Sequence, residues 1–128
     1  MFIKELISFI DSLPSYIELD LNDKHYVLVH AGVDPEVPLE ENSEEILAWI
    51  REYFYLNEAN PDYTYIFGHT PCCFINDDHS FDIWYDPDYH NKIAIDGGLA
   101  VGNKGQLNCL CLTNGEVTVI KYEEGQPK

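Results

Sequence analysis

Two histidines each close an apolar, strand-like run in this chain. Tyr26-Val27-Leu28-Val29 leads into His30-Ala31-Gly32, and Tyr65-Ile66-Phe67-Gly68 leads into His69-Thr70-Pro71. A strand that stops at a histidine holds an imidazole rigidly at a sheet edge, where the chain turns and a ligand can approach. A neutral imidazole nitrogen is a good ligand for zinc, manganese or iron. Either histidine alone reads first as a half-buried, hydrogen-bonded residue at a strand end. Two matched endings in one short chain point instead to a shared site. His25, His79 and His90 lack this context and read as ordinary histidines.

Two further residues could join such a site. Asp96 ends a third apolar run and precedes Gly97-Gly98. Ionised, it can orient a histidine or accept hydrogen bonds near a ligand. As a turn aspartate it can equally bond to the backbone ahead of it. Gly97 and Gly98 point to close backbone approach or positive φ. Arg51, the only arginine, lies in Leu47-Ala48-Trp49-Ile50-Arg51. Its planar fork suits a phosphate; the plainer reading is a surface side chain bridging to Glu52 or Glu58 or stacking on an aromatic ring. Two histidines, one arginine and one aspartate make an incomplete metal-phosphate site, because a catalytic metal normally takes at least three protein ligands. Asp34, Asp77 and Asp78 are available loop carboxylates, and nothing in the spacing selects one.

These residues need elements to position them. Phe2, Ile3, Leu6, Ile7, Ile10 and Leu13 recur at helical spacing until Pro14. Ile17 to Leu21 and His25 to Val29 read as strands joined by a turn at Asn22-Asp23. A second helix is expected after Asn42, with Asn42 as cap, Glu45 as its capping-box partner and Ile46, Leu47, Ile50 and Phe54 as the buried stripe. Strands follow at Thr64 to Phe67 and Lys92 to Ile95. Asn76 to His90 reads as an irregular loop with one strand at Phe81 to Tyr85. A closing hairpin pairs Leu107 to Thr113 with Glu116 to Tyr122 across Asn114-Gly115, and residues 123–128 read as a frayed tail.

The bulk numbers fit one domain, 1–128, or part of one. The 128 residues carry 23 acidic against 7 basic side chains, a formal net charge of -16. Such a surface repels phosphate backbones and anionic lipid, which argues against nucleic-acid and membrane partners. No apolar run approaches the roughly 20 residues of a membrane span. The four cysteines, Cys72-Cys73 and Cys109 with Cys111, form no C-x-x-C, so reduced thiols in a cytoplasmic protein are expected rather than a disulfide framework or a four-cysteine zinc site.

Four segments, taken in order, resemble the later motifs of the calcineurin-like metallophosphoesterases: Leu28-Val29-His30-Ala31-Gly32, Leu47-Ala48-Trp49-Ile50-Arg51, Phe67-Gly68-His69-Thr70-Pro71 and Ile95-Asp96-Gly97-Gly98. The likeness is greatest to bacterial and phage serine/threonine protein phosphatases, and Gly105 to Leu112 resembles that family's closing strand. The resemblance implies an α+β fold of the four-layer α/β/β/α type, here a partial β-sandwich with flanking helices. It implies His30 and His69 as ligands of one divalent metal, with Mn2+ expected and Fe or Zn as alternatives. Arg51 would bind phosphate oxygens, and Asp96 would support the site. The reaction implied is hydrolysis of a phosphate monoester or phosphoprotein by a two-metal hydroxide mechanism.

The family's earlier motifs, Gly-Asp-x-His, Gly-Asp-x-x-Asp-Arg-Gly and Gly-Asn-His-Glu or Asp, have no counterpart here. Met1 falls roughly where the family's second half begins. The expectation is therefore a C-terminal half that needs a missing N-terminal half as partner for activity. The alternative is a non-catalytic binding or regulatory remnant.

Overall fold

The computed structural model describes residues 2–113 and 116–123. The fold is α+β, built on a mixed five-stranded sheet and a separate two-stranded hairpin. Helix α1 spans Phe2–Ser12, and strands β1 and β2 span Tyr16–Leu21 and Lys24–Val29. They pair antiparallel from Tyr16 opposite Val29 to Leu21 opposite Lys24. Asn22 and Asp23 both have positive φ, as a type I′ hairpin turn requires. Short helices α2 (Glu44–Trp49) and α3 (Glu52–Tyr55) precede β3 (Tyr63–Phe67). Strands β4 (Trp84–Tyr85) and β5 (Lys92–Ala94) complete a sheet of order β1-β2-β3-β5-β4. β3 runs parallel to both β2 and β5.

Side chains alternate across the sheet, and each face has its own cover. Val27, Val29, Tyr65, Phe67 and Ala94 pack with Leu47 and Phe54 from the helical side. Tyr26, Ile66 and Ile93 face the other way and meet Leu110 and Leu112. Strands β6 (Gln106–Thr113) and β7 (Glu116–Glu123) form the closing hairpin. Its expected turn, Asn114-Gly115, lies outside the described residues, as does 124–128 of the expected tail. Glu123, placed in that tail from the sequence, pairs with Gln106 in β7.

Three other expectations are corrected. Ser43, not Asn42, caps α2, accepting a hydrogen bond from Ile46 N at 3.2 Å. The Asn42 amide is already committed: its oxygen accepts from Asp34 N and its nitrogen donates to Pro38 O. The helix also does not run unbroken to Phe54. Ile50 is extended, and Arg51 adopts φ -131 and ψ -111 before α3 begins. In a continuous helix Arg51 would share the stripe of Leu47 and Phe54, four and three residues away, both of which are buried. Breaking the helix keeps the guanidinium out of the core. The strand expected over Phe81 to Tyr85 is confined to Trp84–Tyr85, because Asn76 Nδ2 donates to Ser80 O and Asp82 O and folds the first part into a loop.

Helix α1 is amphipathic but buries no residue; Phe2, Ile3, Leu6, Ile7, Ile10 and Leu13 are all exposed. Among the described residues, no helix is long and apolar enough to cross a membrane. The four cysteines are free, Cys72 and Cys73 buried, Cys109 and Cys111 exposed. Burial pushes the Cys72 thiol up to about 11, so it stays protonated and inert at neutral pH.

Candidate metal and phosphate site

Parallel neighbours end at the same sheet edge. Leu28 of β2 stands opposite Ile66 of β3, so the residues that follow emerge together. A hydrogen bond of 2.8 Å from Gly68 N to His30 O carries the pairing past the strand ends. His69 then takes φ +69, a left-handed conformation that costs a non-glycine residue energy and marks functional turns. The result is that His30 Nε2 lies 3.2 Å from His69 Nδ1. The ring centroids are 5.0 Å apart.

Two nitrogens held about 2.0–2.1 Å from one cation stand roughly 3–3.4 Å apart. The observed separation therefore suits two ligands of a single ion, and in the free protein it suits one shared proton. His69 is half-buried, and burial lowers its pKa; the Arg51 charge and His30 lower it further, against an opposing pull from Asp96. The ring is accordingly neutral at neutral pH, the form that ligates metals. His69 Nε2 is buried and meets no partner in full hydrogen-bond geometry, although the Trp49 backbone lies near enough to oppose the lowering, as Asp96 does. Trp49 stands edge-on to the same ring at 5.5 Å.

Arg51 is pinned between the two histidine turns. Its Nη1 donates to His69 O at 3.1 Å and to Thr70 Oγ1 at 3.0 Å. On the other side, Ala31 N bonds to Leu47 O, and Gly32 lies so close to Phe54 that a Cβ would enter its ring. The residues after His30 are thus packed on α2 and α3, and those after His69 accept the arginine. Among the described residues Arg51 makes no ion pair, so the expected surface bridge to Glu52 or Glu58 is not formed. The rest of its fork is available to an anion.

Asp96 adopts the turn role: its Oδ1 accepts from Gly98 N at 2.9 Å. The same residue's backbone holds the His69 loop, because Cys72 N bonds to Asp96 O. The Asp96 side chain faces Gly68, within 4 Å of where a Cβ would stand there. Both uses of the paired glycines occur. A Cβ on Gly97 would collide with Gln106 O, and Gly98 has φ +69.

Among the described residues no third metal ligand joins His30 and His69. Among the described residues, no cluster of three or more His, Cys, Asp and Glu side chains could hold a metal ion. Asp34 and Asp78 instead bond to the nearby Glu36 and Ser80 backbone, and Asp77 lines a separate cleft. His30 borders two clefts. One is lined by Ile10, Leu13 and Leu47 together with the carboxylates of Asp11 and Glu44, and the other, more apolar, by Ile17, Leu28 and Ile95.

Sequence reasoning missed two participants. Thr70 and Trp49 are adjacent to quoted motif residues but carry no signal of their own. His25 reads as an ordinary histidine and is one: half-buried at the far end of β2, its two ring nitrogens meet Asp20 Oδ1 at 2.6 Å and Glu18 Oε1 at 2.8 Å. The hairpin register, Asp20 opposite His25, contained that information. No protein-family model matches the chain, and no curated protein matches it.

Proposed function

We propose that this chain is the second half of a metallophosphoesterase of the serine/threonine protein phosphatase type. It would hydrolyse phosphate monoesters once further polypeptide supplies the remaining metal ligands. The observation that carries the reading is the convergence of His30 and His69, with Arg51 anchored on the very next residue. An imidazole pair beside a fixed guanidinium is a donor set for a cation next to an anion. In this reading the sheet and the β6–β7 hairpin would form part of a four-layer sandwich.

His30 and His69 would hold one divalent ion, Mn2+ first and Fe or Zn as alternatives. Bound there, the metal would neutralise phosphoryl charge and activate the attacking water. Arg51 would orient phosphate oxygens, its direction set by the His69 carbonyl and Thr70. Asp96 would keep the His69 turn in place. Two imidazoles fall short of a catalytic metal's usual ligand count, and the exposed apolar faces of α1 and of Ile17 offer a seat for the complementing polypeptide. The same shortfall favours, for the chain by itself, a metal-holding but non-catalytic role. Free cysteines support a reducing, cytoplasmic setting.

Calorimetric titration of Mn2+ tests the metal half of the reading. One site is expected, lost in a His30→Ala, His69→Ala double variant; equal affinity in that variant overturns it. Mixing with a separately made polypeptide that carries the absent metal motifs tests the enzymatic half. Mn2+-dependent hydrolysis of p-nitrophenyl phosphate is expected, and association without hydrolysis contradicts it.

A further inference from the structure

A second concave site lies beyond the last residue of α3, away from the histidines. It is a cleft of about 450 Å³, within the usual range for a ligand site. Tyr55, Phe74, Trp84 and Tyr85 supply aromatic surface, and Asp77 and Asp88 supply two carboxylates. Tyr55 is buried and meets Trp84 edge-on at 6.2 Å. Phe74 and Tyr85 remain 67% and 49% exposed, so aromatic area is left uncovered.

The carboxylates stand on fixed supports. Asp88 N bonds to Asp86 Oδ1 at 3.0 Å, and Asp86 is itself locked in a buried pair with Lys92. Asp77 follows Asn76, whose side chain is held by two backbone carbonyls. Among the described residues neither Asp77 nor Asp88 is paired with a cation. Aromatic faces beside unpaired carboxylates attract a cation twice, through the ring quadrupole and through Coulomb attraction. The net charge of -16 adds long-range steering of a basic partner.

We propose that this cleft binds an arginine or lysine side chain of a basic peptide segment. A peptide is the occupant because the exposed Phe74 and Tyr85 rings can cover the residues flanking the cation, which a small free amine would leave bare. The cleft shares its framework with the histidine site: Tyr55 ends the helix that Arg51 immediately precedes, and Phe74 ends the 3₁₀ turn that follows Thr70-Pro71. Applied to the phosphoesterase reading, on which this clause alone rests, the occupant is a basic residue of a phosphorylated polypeptide.

The test needs neither metal nor phosphate. The probe is a blocked, glycine-flanked hexapeptide with two adjacent arginines; the control replaces both with citrulline, which is neutral and nearly isosteric. NMR of the two indole N–H groups follows binding. The arginine peptide is expected to shift the Trp84 signal and to bind at least tenfold more tightly than the citrulline peptide. An Asp77→Asn, Asp88→Asn double variant is expected to lose at least tenfold in affinity. An Asp11→Asn, Glu40→Gln variant, with the same change in net charge, is expected to lose far less. All four side chains are exposed, so the fold is kept. Equal binding of the two peptides, equal losses in the two variants, or a response at Trp49 in place of Trp84 each overturns the proposal. Methylguanidine binding as tightly as the peptide overturns the peptide assignment. A failed Mn2+ titration with successful arginine-peptide binding removes the phosphoesterase reading and leaves this cleft standing.

Discussion

His30 Nε2 and His69 Nδ1 face each other at 3.2 Å although 39 residues separate them in the chain. Neighbouring parallel strands explain the approach, and the left-handed backbone of His69 completes it. Arg51 then fixes the edge by bonding to His69 O and to the Thr70 hydroxyl.

The charge on Arg51 helps keep His69 neutral, second only to burial. Arg51→Gln is therefore expected to raise the His69 pKa towards the ordinary histidine value. NMR titration of the ring protons reads this directly. An unchanged His69 titration would show that the guanidinium does not act on the ring.

Gly32 is expected to resist substitution. Its φ is +149, and an added Cβ meets the Phe54 ring. Gly32→Ala should cost about 1–3 kcal/mol from overpacking and backbone strain, measured by urea denaturation. A loss within the error of the measurement would mean that α3 can move away without consequence.

The Lys92 ammonium and Asp86 carboxylate are almost fully buried and pair at 2.5 Å. Removing one partner leaves the other as an uncompensated buried charge. Asp86→Ala is expected to cost about 3–5 kcal/mol, and a Lys92→Met, Asp86→Leu double replacement clearly less. Denaturation midpoints of the two variants decide it; equal destabilisation would refute the pairing argument.

His25 gives a pH signature. Its pKa is raised, chiefly by the hydrogen bond to Asp20 and then by that to Glu18. A raised folded-state pKa makes the protonated ring stabilising. That contribution is complete below the unfolded value near 6.5 and is lost as pH rises through the folded value. Compared with His25→Gln, the parent chain should gain relative stability on acidification from neutral pH. Parallel stability curves for the two across that range would contradict the account.

Periodicity and turn chemistry make most strands legible in the sequence. The Asn22-Asp23 turn, the stop at Pro14 and the strand ends at His30 and His69 follow from local residue types. The break at Ile50-Arg51 did not, because a local pattern that continues Leu47 to Phe54 contains no stop signal. Its cause is tertiary: an arginine on the buried stripe has to leave the core. The cap moved from Asn42 to Ser43 for a similar reason, since Asp34 and Pro38 claim the Asn42 amide from a distance in the chain. The histidine pair was legible because strand endings repeat, whereas Thr70 joins the site only through the hydrogen bond from Arg51.

The most direct test follows the imidazole nitrogens of the chain by 15N NMR while Zn2+ is added as a diamagnetic stand-in for Mn2+. His30 Nε2 and His69 Nδ1 should shift together, with one ion bound per chain, while His79 and His90 stay unchanged. A response confined to the other histidines, or at His30 with none at His69, would contradict a shared cation site.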